Sequence, residues 1–241
     1  MNEKQMPLQA DVLVVGAGAA GMLAAATAAE RGLQGLLAEK NSLTGKKLRI
    51  TGKGRCNVTN HCDIKEFLQF VPTNPRFLYS CLSRFSPADT ISFFERAGVP
   101  LKTERGRRVF PVSDKAADIT MALENTCKRA GVQFLFQAEV KALLQNNGAV
   151  CGAVLSNGRH ISCRAVILAC GGKSYPLTGS NGQGYILAKQ VGHEIIPPKA
   201  ALVPVETCET WVKRLQGLAL KNVTLNAWHI QNNKCVFSQQ G

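Results

Sequence analysis

The stretch from Asp11 to Glu39 restricts the folds open to this chain more than any other. Asp11-Val12-Leu13-Val14-Val15 is an apolar run of strand length, and Gly16-Ala17-Gly18-Ala19-Ala20-Gly21 follows it at once. An alanine-rich segment then runs to Arg31-Gly32, and a second apolar segment, Leu36-Leu37-Ala38, ends in Glu39. Strand, glycine turn, helix, strand and terminal acid are the parts of a dinucleotide-binding unit, and each has a physical task. Gly16 permits the tight turn, Gly18 lets the backbone approach a pyrophosphate, and Gly21 lets the helix lie close on the sheet. Free N–H groups at the helix start attract anionic oxygens. Glu39, 18 residues past Gly21, stands where a carboxylate accepts hydrogen bonds from a ribose 2′-OH. The alternative is a glycine-rich turn that binds nothing; strand, helix and acid in register weigh against it.

At 241 residues the chain has room for one large domain or one and a half, with a core that needs no disulfide staples. Its nine cysteines are an odd count without a C-x-x-C pair, and Met1 to Ala10 is polar rather than a signal peptide. The chain is therefore expected in a reducing, cytoplasmic compartment, where the N-x-T matches at Asn57 and Asn222 are not glycosylated. No apolar run approaches the roughly 18 residues of a membrane span. The net charge is +13, from 29 basic and 16 acidic residues. The basic residues cluster at Lys40/Lys46/Lys47/Arg49/Lys53/Arg55 and at Lys102/Arg105/Arg107/Arg108. The first cluster falls inside the nucleotide unit, where a pyrophosphate is sufficient reason for part of it. Neither cluster has a nucleic-acid motif or interleaved aromatics beside it. A solvated basic face is the plainer reading, and a nucleic-acid partner is not expected.

The first helix is predicted over Ala19 to Glu30, with Gly32 as its stop. From Asn41 to Asn60 no helix or strand period survives, and glycines at 45, 52 and 54 suggest a loop whose backbone follows a ligand. Asn74-Pro75 and Ser86-Pro87 each pair an N-cap with proline at the first helical position. Phe77, Cys81, Leu82 and Phe85 share a face of the first of these helices, and Ile91 and Phe94 mark the second; both sets read as core. Ser113 is expected to cap a further helix with Ala116, Ile119, Leu123 and Cys127 inward. Strands are predicted at Val132–Phe136, Glu139–Leu144, Ala149–Leu155, Arg159–Cys163 and Ala165–Cys170, the third and fourth joined by an Asn157-Gly158 hairpin turn. This is a three-strand meander followed by a returning strand that runs into Gly171-Gly172. A short helix, Tyr185 to Val191, precedes Gly192-His193. From Pro197 the character changes, and Leu202–Val205, Val223–Trp228 and Cys235–Ser238 read as antiparallel strands. The expected architecture is α/β: a Rossmann-like domain over 1–196, its parallel sheet carrying a β-meander, then the start of a β-rich second domain over 197–241.

The segment Gly45-Lys46-Lys47-Leu48…Gly52-Lys53-Gly54-Arg55-Cys56-Asn57-Val58-Thr59-Asn60 resembles a known family, the bacterial BaiN/YhiN-type FAD-dependent oxidoreductases, also called aminoacetone-oxidase-like flavoproteins. Ala169-Cys170-Gly171-Gly172-Lys173-Ser174-Tyr175-Pro176 and Thr178-Gly179-Ser180…Gly182…Gly184-Tyr185 agree as well, with Cys170 replacing the family's usual threonine. The resemblance implies FAD in an extended pose. Gly16, Gly18, Ala19, Ala20 and Gly21 would then face the pyrophosphate and Glu39 the adenosine ribose. Lys40, Lys46 and Lys47 would lie along the phosphates, and Arg55, Cys56, Asn57, Thr59 and Asn60 would approach the flavin. Val140 would hold adenine through its main chain, and Ala169, Gly171 and Gly172 would pass the ADP moiety. Family members continue through the rest of the β-rich domain and a return segment that contacts the flavin end. The resemblance therefore implies an N-terminal portion lacking that segment, with its catalytic activity open.

The expected reaction has two halves, NAD(P)H reducing the flavin and the flavin reducing a small-molecule substrate or oxygen. No second G-x-G-x-x-G follows a strand, so a dedicated nicotinamide domain is not visible. Two other readings stand beside this one: a non-catalytic piece that acts only with a complementary chain, and an FAD enzyme acting on tRNA. Cys56 and Cys62 raise a further rival, the FAD-linked disulfide reductases. Those keep four residues between their cysteines, and here there are five, Asn57 to His61. The histidines form no metal-ligand spacing, and no metal is expected. His193 reads as a polar cap and Tyr175 as an occasional flavin or substrate contact. No acid or base is nominated; substrate, acceptor and oligomeric state are not legible.

Overall fold

The computed structural model describes residues 8–200, 206–220, 223–224, 226–231 and 234–240. The chain divides into two compact units, residues 1–196 and 197–241.

In the first unit the elements run β1 (Leu8–Val15), α1 (Ala19–Glu30), β2 (Gly35–Ala38), β3 (Thr59–Asn60), α2 (Ile64–Gln69), α3 (Tyr79–Arg84) and α4 (Pro87–Arg96). There follow β4 (Leu101–Glu104), β5 (Arg108–Pro111), α5 (Ala116–Arg129), β6 (Gln133–Leu135), β7 (Val140–Asn146), β8 (Ala149–Leu155), β9 (His160–Leu168) and α6 (Gln183–Gln190). Six strands form one sheet in the order β6-β2-β1-β9-β8-β7. The first four are parallel, and β9-β8-β7 is antiparallel. This is the Rossmann-like α/β architecture with its meander.

Side-chain alternation explains the two-layer core. Successive residues of β1 point to opposite faces of the sheet. Val12 and Val14 join Met22, Ala25, Ile119, Leu123 and Cys127 beneath α1 and α5. Leu13 and Val15 join Leu36, Val140, Leu155, Ile161 and Leu187 on the other face. A strand buried on both sides must be apolar throughout, and Leu13 and Val14 are fully buried. Alanines at 25 and 26 leave little side chain between α1 and the sheet.

Several elements differ from the sequence reading. The two strands expected at Arg159–Cys163 and Ala165–Cys170 are one, β9 over His160–Leu168, which is at once the third meander strand and the returning one. Its residues His160–Ser162 pair antiparallel with β8, while Ile161–Leu168 run parallel to β1. Arg164, which breaks the apolar pattern, is exposed and lies 3.6 Å from Asp11. Asn74 is left-handed, with no side-chain cap, and starts a 3-10 turn at Pro75–Leu78 ahead of α3. The 3.0-residue period of that turn shifts the face that an α-helix would share, and Phe77 is 83% exposed rather than core. Ser113 does not cap α5, whose N-cap is Lys115; its hydroxyl instead accepts the Lys115 N–H at 3.3 Å and donates to Asp118. At α4 the cap is as the sequence suggests, a reciprocal Ser86–Asp89 box. The loop after Glu39 contains 3-10 turns over Leu48–Gly54 and ends in β3, the edge of a small sheet ordered β3-β5-β4.

In the second unit β10 (Asn226–Gln231) pairs antiparallel with β11 (Lys234–Gln240). Val223 and Thr224 precede the strand rather than belonging to it, and Trp211–Leu215 is a 3-10 turn. The strand expected at Leu202–Val205 lies outside the described residues.

Candidate nucleotide site

The ends of β1, β2 and β9 surround a cavity of about 340 Å³. The three glycines of the turn have different surroundings. Gly16 has φ +104, and a Cβ there would sit 2.6 Å from the Ala169 oxygen. A Cβ on Gly21 would lie 1.8 Å from the Gly16 oxygen, so helix and strand touch backbone to backbone. Gly18 is the opposite case: a Cβ there meets nothing within 4 Å, and the residue lines the cavity. It is also the N-cap of α1, which has no side-chain cap and no acid in its first turn. The helix start is thus left for an external anion. Ala19 and Ala20 line the same wall.

Glu39 is 8% exposed and is already engaged by the protein. One carboxylate oxygen accepts the Ala17 N–H at 2.8 Å. The other accepts the Asn41 N–H at 2.8 Å and its side-chain amide at 2.6 Å. The acid therefore ties the glycine turn to the end of β2 before any ligand arrives. Of its roughly four acceptor positions three are used, which leaves one.

Lys40, Lys46 and Lys47 line the cavity. Lys40 Nζ donates to Asn181 at 3.2 Å and Lys47 Nζ to Ser174 at 3.3 Å. Both cations thereby draw the loop after Gly172 across the site. Ala169 and Gly171 are in the wall, whereas Gly172 is set back, its carbonyl accepting the Gly182 N–H at 3.1 Å. Val140 lines the cavity, but its carbonyl accepts the Gln183 side-chain amide at 2.6 Å. Gln183, Asn41 and Ser180 are site residues that pattern reading missed, because they are polar loop or helix-start positions with no spacing signature.

The signature loop splits. Leu48 and Thr51 face the nucleotide cavity, while Cys56 and Asn57 line a second, apolar one of about 190 Å³ with Phe85, Phe93 and Phe94. The two cavities share Ala19, Ala20 and Leu48. Arg55, Thr59 and Asn60, the other loop residues expected near a flavin, make their contacts within the small sheet and the turns beside it. Arg55 pairs with Glu104 and Asp114, Thr59 pairs with Val109, and Asn60 Nδ2 donates to the Gly106 carbonyl at 2.9 Å.

Cys56 and Cys62 are both free thiols, raised above the ordinary cysteine range by burial. Burial pushes the Cys127 thiol up to about 11. Tyr175 is 68% exposed and in the left-handed region, outside the wall. His193 is exposed, and its backbone N–H, not its ring, closes α6 onto the Ala188 carbonyl at 3.1 Å. Among the described residues no group of three His, Cys, Asp or Glu side chains is placed to hold a metal. No described helix is long and apolar enough to cross a membrane.

Known proteins share this fold. A family model described as the HI0933-like protein Rossmann domain matches residues 10–238. The chain is 32% identical over 210 residues to the ribosomal RNA dihydrouridine synthase of Escherichia coli (strain K12), covering 87% of this chain and 51% of that protein. It is 35% identical over 196 residues to the 3-dehydro-bile acid delta(4,6)-reductase of Clostridium scindens, covering 80% and 46%. The chain thus spans about half the length of these relatives. Among solved structures the open conformation of a flavocytochrome c3 fumarate reductase shares the fold, with a TM-score of 0.64, 24% identity, and coverage of 78% of this chain and 42% of that one.

Proposed function

The chain belongs to the HI0933-like Rossmann-domain family, and from that premise we propose that it binds FAD at the glycine turn and takes part in the reduction of a carbon–carbon double bond. The observation that carries the cofactor is Gly18, the one glycine of the turn whose missing Cβ opens into the cavity, beside an uncapped helix start. The first N–H groups of α1 and Lys46 suit a pyrophosphate, and the remaining acceptor position of Glu39 suits a ribose hydroxyl. FAD, when bound, supplies the hydride chemistry; the protein binds it, orients it and sets the charge around it.

The reaction class rests on what two differently named relatives have in common. Dihydrouridine is uridine with its ring double bond reduced, and a delta(4,6)-reductase removes ring double bonds of a 3-oxo steroid. Both bonds are activated by a carbonyl. A uracil or enone ring is accordingly the substrate class proposed here, with NADH or NADPH as the donor. Purified protein tests this directly. A yellow solution absorbing at about 450 nm, as flavins do, should bleach with NADH or NADPH without air and recover on adding an enone steroid or ribosomal RNA. Colourless protein that rejects added FAD would overturn the reading.

An RNA substrate is favoured by one observation beyond the relatives' name, the charge of +13. Its mark is affinity for ribosomal RNA that falls steeply with salt while a neutral polymer does not bind. The bile-acid type of substrate instead requires reoxidation by the free steroid with little salt dependence.

A further inference from the structure

Arg55 stands between the two cavities in sequence and yet lines neither. Its Nε donates to Asp114 Oδ1 at 2.8 Å, its Nη2 meets the same oxygen at 2.7 Å, and Glu104 accepts from Nη2 as well. The guanidinium lies over the Phe110 ring, 4.2 Å from the centroid. Lys102 closes the group, 2.8 Å from Asp114 and 3.6 Å from Glu104. Arg55 of the loop, Lys102 and Glu104 of β4 and Asp114 of the turn after β5 thus bring two cations and two carboxylates together.

What the cluster holds is a strained loop. Gly52, Lys53, Gly54 and Cys56 all have positive φ, at 56°, 59°, 87° and 62°. Lysine and cysteine disfavour that region, so they stay there only when their surroundings impose it. Asp114, the residue that receives Arg55, is itself left-handed at φ 55°. Cys56 N–H donates to the Thr51 carbonyl at 3.0 Å, which closes the loop on itself. The Cys56 side chain is 1% exposed in the wall of the apolar cavity.

We propose that Arg55 is a positioning residue: its fork on Asp114 and Glu104 pins the Thr51–Asn57 loop to the small sheet, and so sets the loop's faces towards both cavities. The guanidinium is needed because Nε and Nη2 donate together in one plane and stack on Phe110, which an ammonium does not do. That this loop belongs to an FAD site rests on the reading above; the clamp itself does not.

The test follows each cysteine's alkylation by N-ethylmaleimide with peptide mass spectrometry, on the full chain without added cofactor. In the wild type Cys56 should react slowly, as should Cys127, which is fully buried on the face of α5 that packs on α1. Arg55→Gln should speed the Cys56 reaction at least about tenfold, the effect of losing even one of these charge-assisted hydrogen bonds, and leave Cys127 unchanged. Asp114→Asn, which tolerates the left-handed backbone, should do the same, and Arg55→Lys should fall between. Equal acceleration of Cys56 and Cys127 would mean general loosening and would overturn the proposal, as would no change at Cys56. FAD titration of the same variants adds the second arm: weaker binding and a shifted visible band in Arg55→Gln place the clamp in the cofactor site. Wild type that binds no FAD would end the cofactor reading while the alkylation contrast still decides the clamp.

Discussion

Gly18 and Gly21 lie three positions apart and respond to substitution in opposite ways. At Gly21 an added methyl runs into the Gly16 carbonyl, so Gly21→Ala should lower stability by about 1–3 kcal/mol or more, as overpacking does; thermal unfolding measures it. At Gly18 the same methyl enters open space, so Gly18→Val should leave the fold near wild type by circular dichroism and remove FAD binding in a titration. Normal flavin content in Gly18→Val would place the cofactor elsewhere. Glu39, expected as a ribose contact, has a structural task of its own. Because it accepts the Ala17 N–H inside the protein, Glu39→Gln should cost about 1–2 kcal/mol of stability without any nucleotide present, the loss of a charge-assisted bond. The acid was legible from its place at the end of β2. Its grip on the glycine turn was not, because hydrogen bonds between segments have no spacing signal.

At the scale of elements, the small β3-β5-β4 sheet should be sensitive to acid. Hydrogen bonds from Arg55 hold the Glu104 carboxyl below its usual range, and those from Lys102 and then Arg55 do the same for Asp114. A carboxyl depressed in the folded state contributes stability above its unfolded value and loses it as pH falls through the folded one. The sheet and its clamped loop should therefore hold from neutral pH to about 4, the ordinary carboxylate value, and loosen below it. Hydrogen exchange of the Val58 and Val109 amides against pH checks this, with α1 amides as the stable reference. α1 was legible from its place after the glycine turn, and α4 and α5 because apolar residues recur there at helical spacing. The small sheet was not, since β4 and β5 have four residues each, too few to show a period. The exposed Phe77 is a similar case: local pattern implied a helical face, and a proline-led 3-10 turn replaced it.

For the molecule as a whole, the parallel sheet brings the first strand, the second strand and a strand more than a hundred positions later to one edge. That edge is where open α/β sheets bind ligands, at the carboxyl ends of the strands. The pairing of β1 with β9 is what delivers Ala169 and Gly171 to the glycine turn. The loop after them is drawn over the site by Lys40 and Lys47. Lys40→Ala should thus weaken FAD binding through loop order as well as charge, so that raising the salt concentration should not abolish the difference from wild type; isothermal titration at two ionic strengths separates the two.

The sequence alone determined the βαβ unit, its ligand class and the family resemblance, because those depend on residue type at short, fixed separations: a turn that tolerates only glycine, a helix that needs small residues, an acid at a strand end. Which residues of the signature loop face a cavity was decided only in three dimensions. Arg55 and Cys56 are neighbours in the chain, yet one is bound by carboxylates from β4 and the turn after β5 while the other is buried in an apolar wall. Their directions follow from a left-handed backbone and from partners some 50 positions away, and both of those are properties of the packed structure.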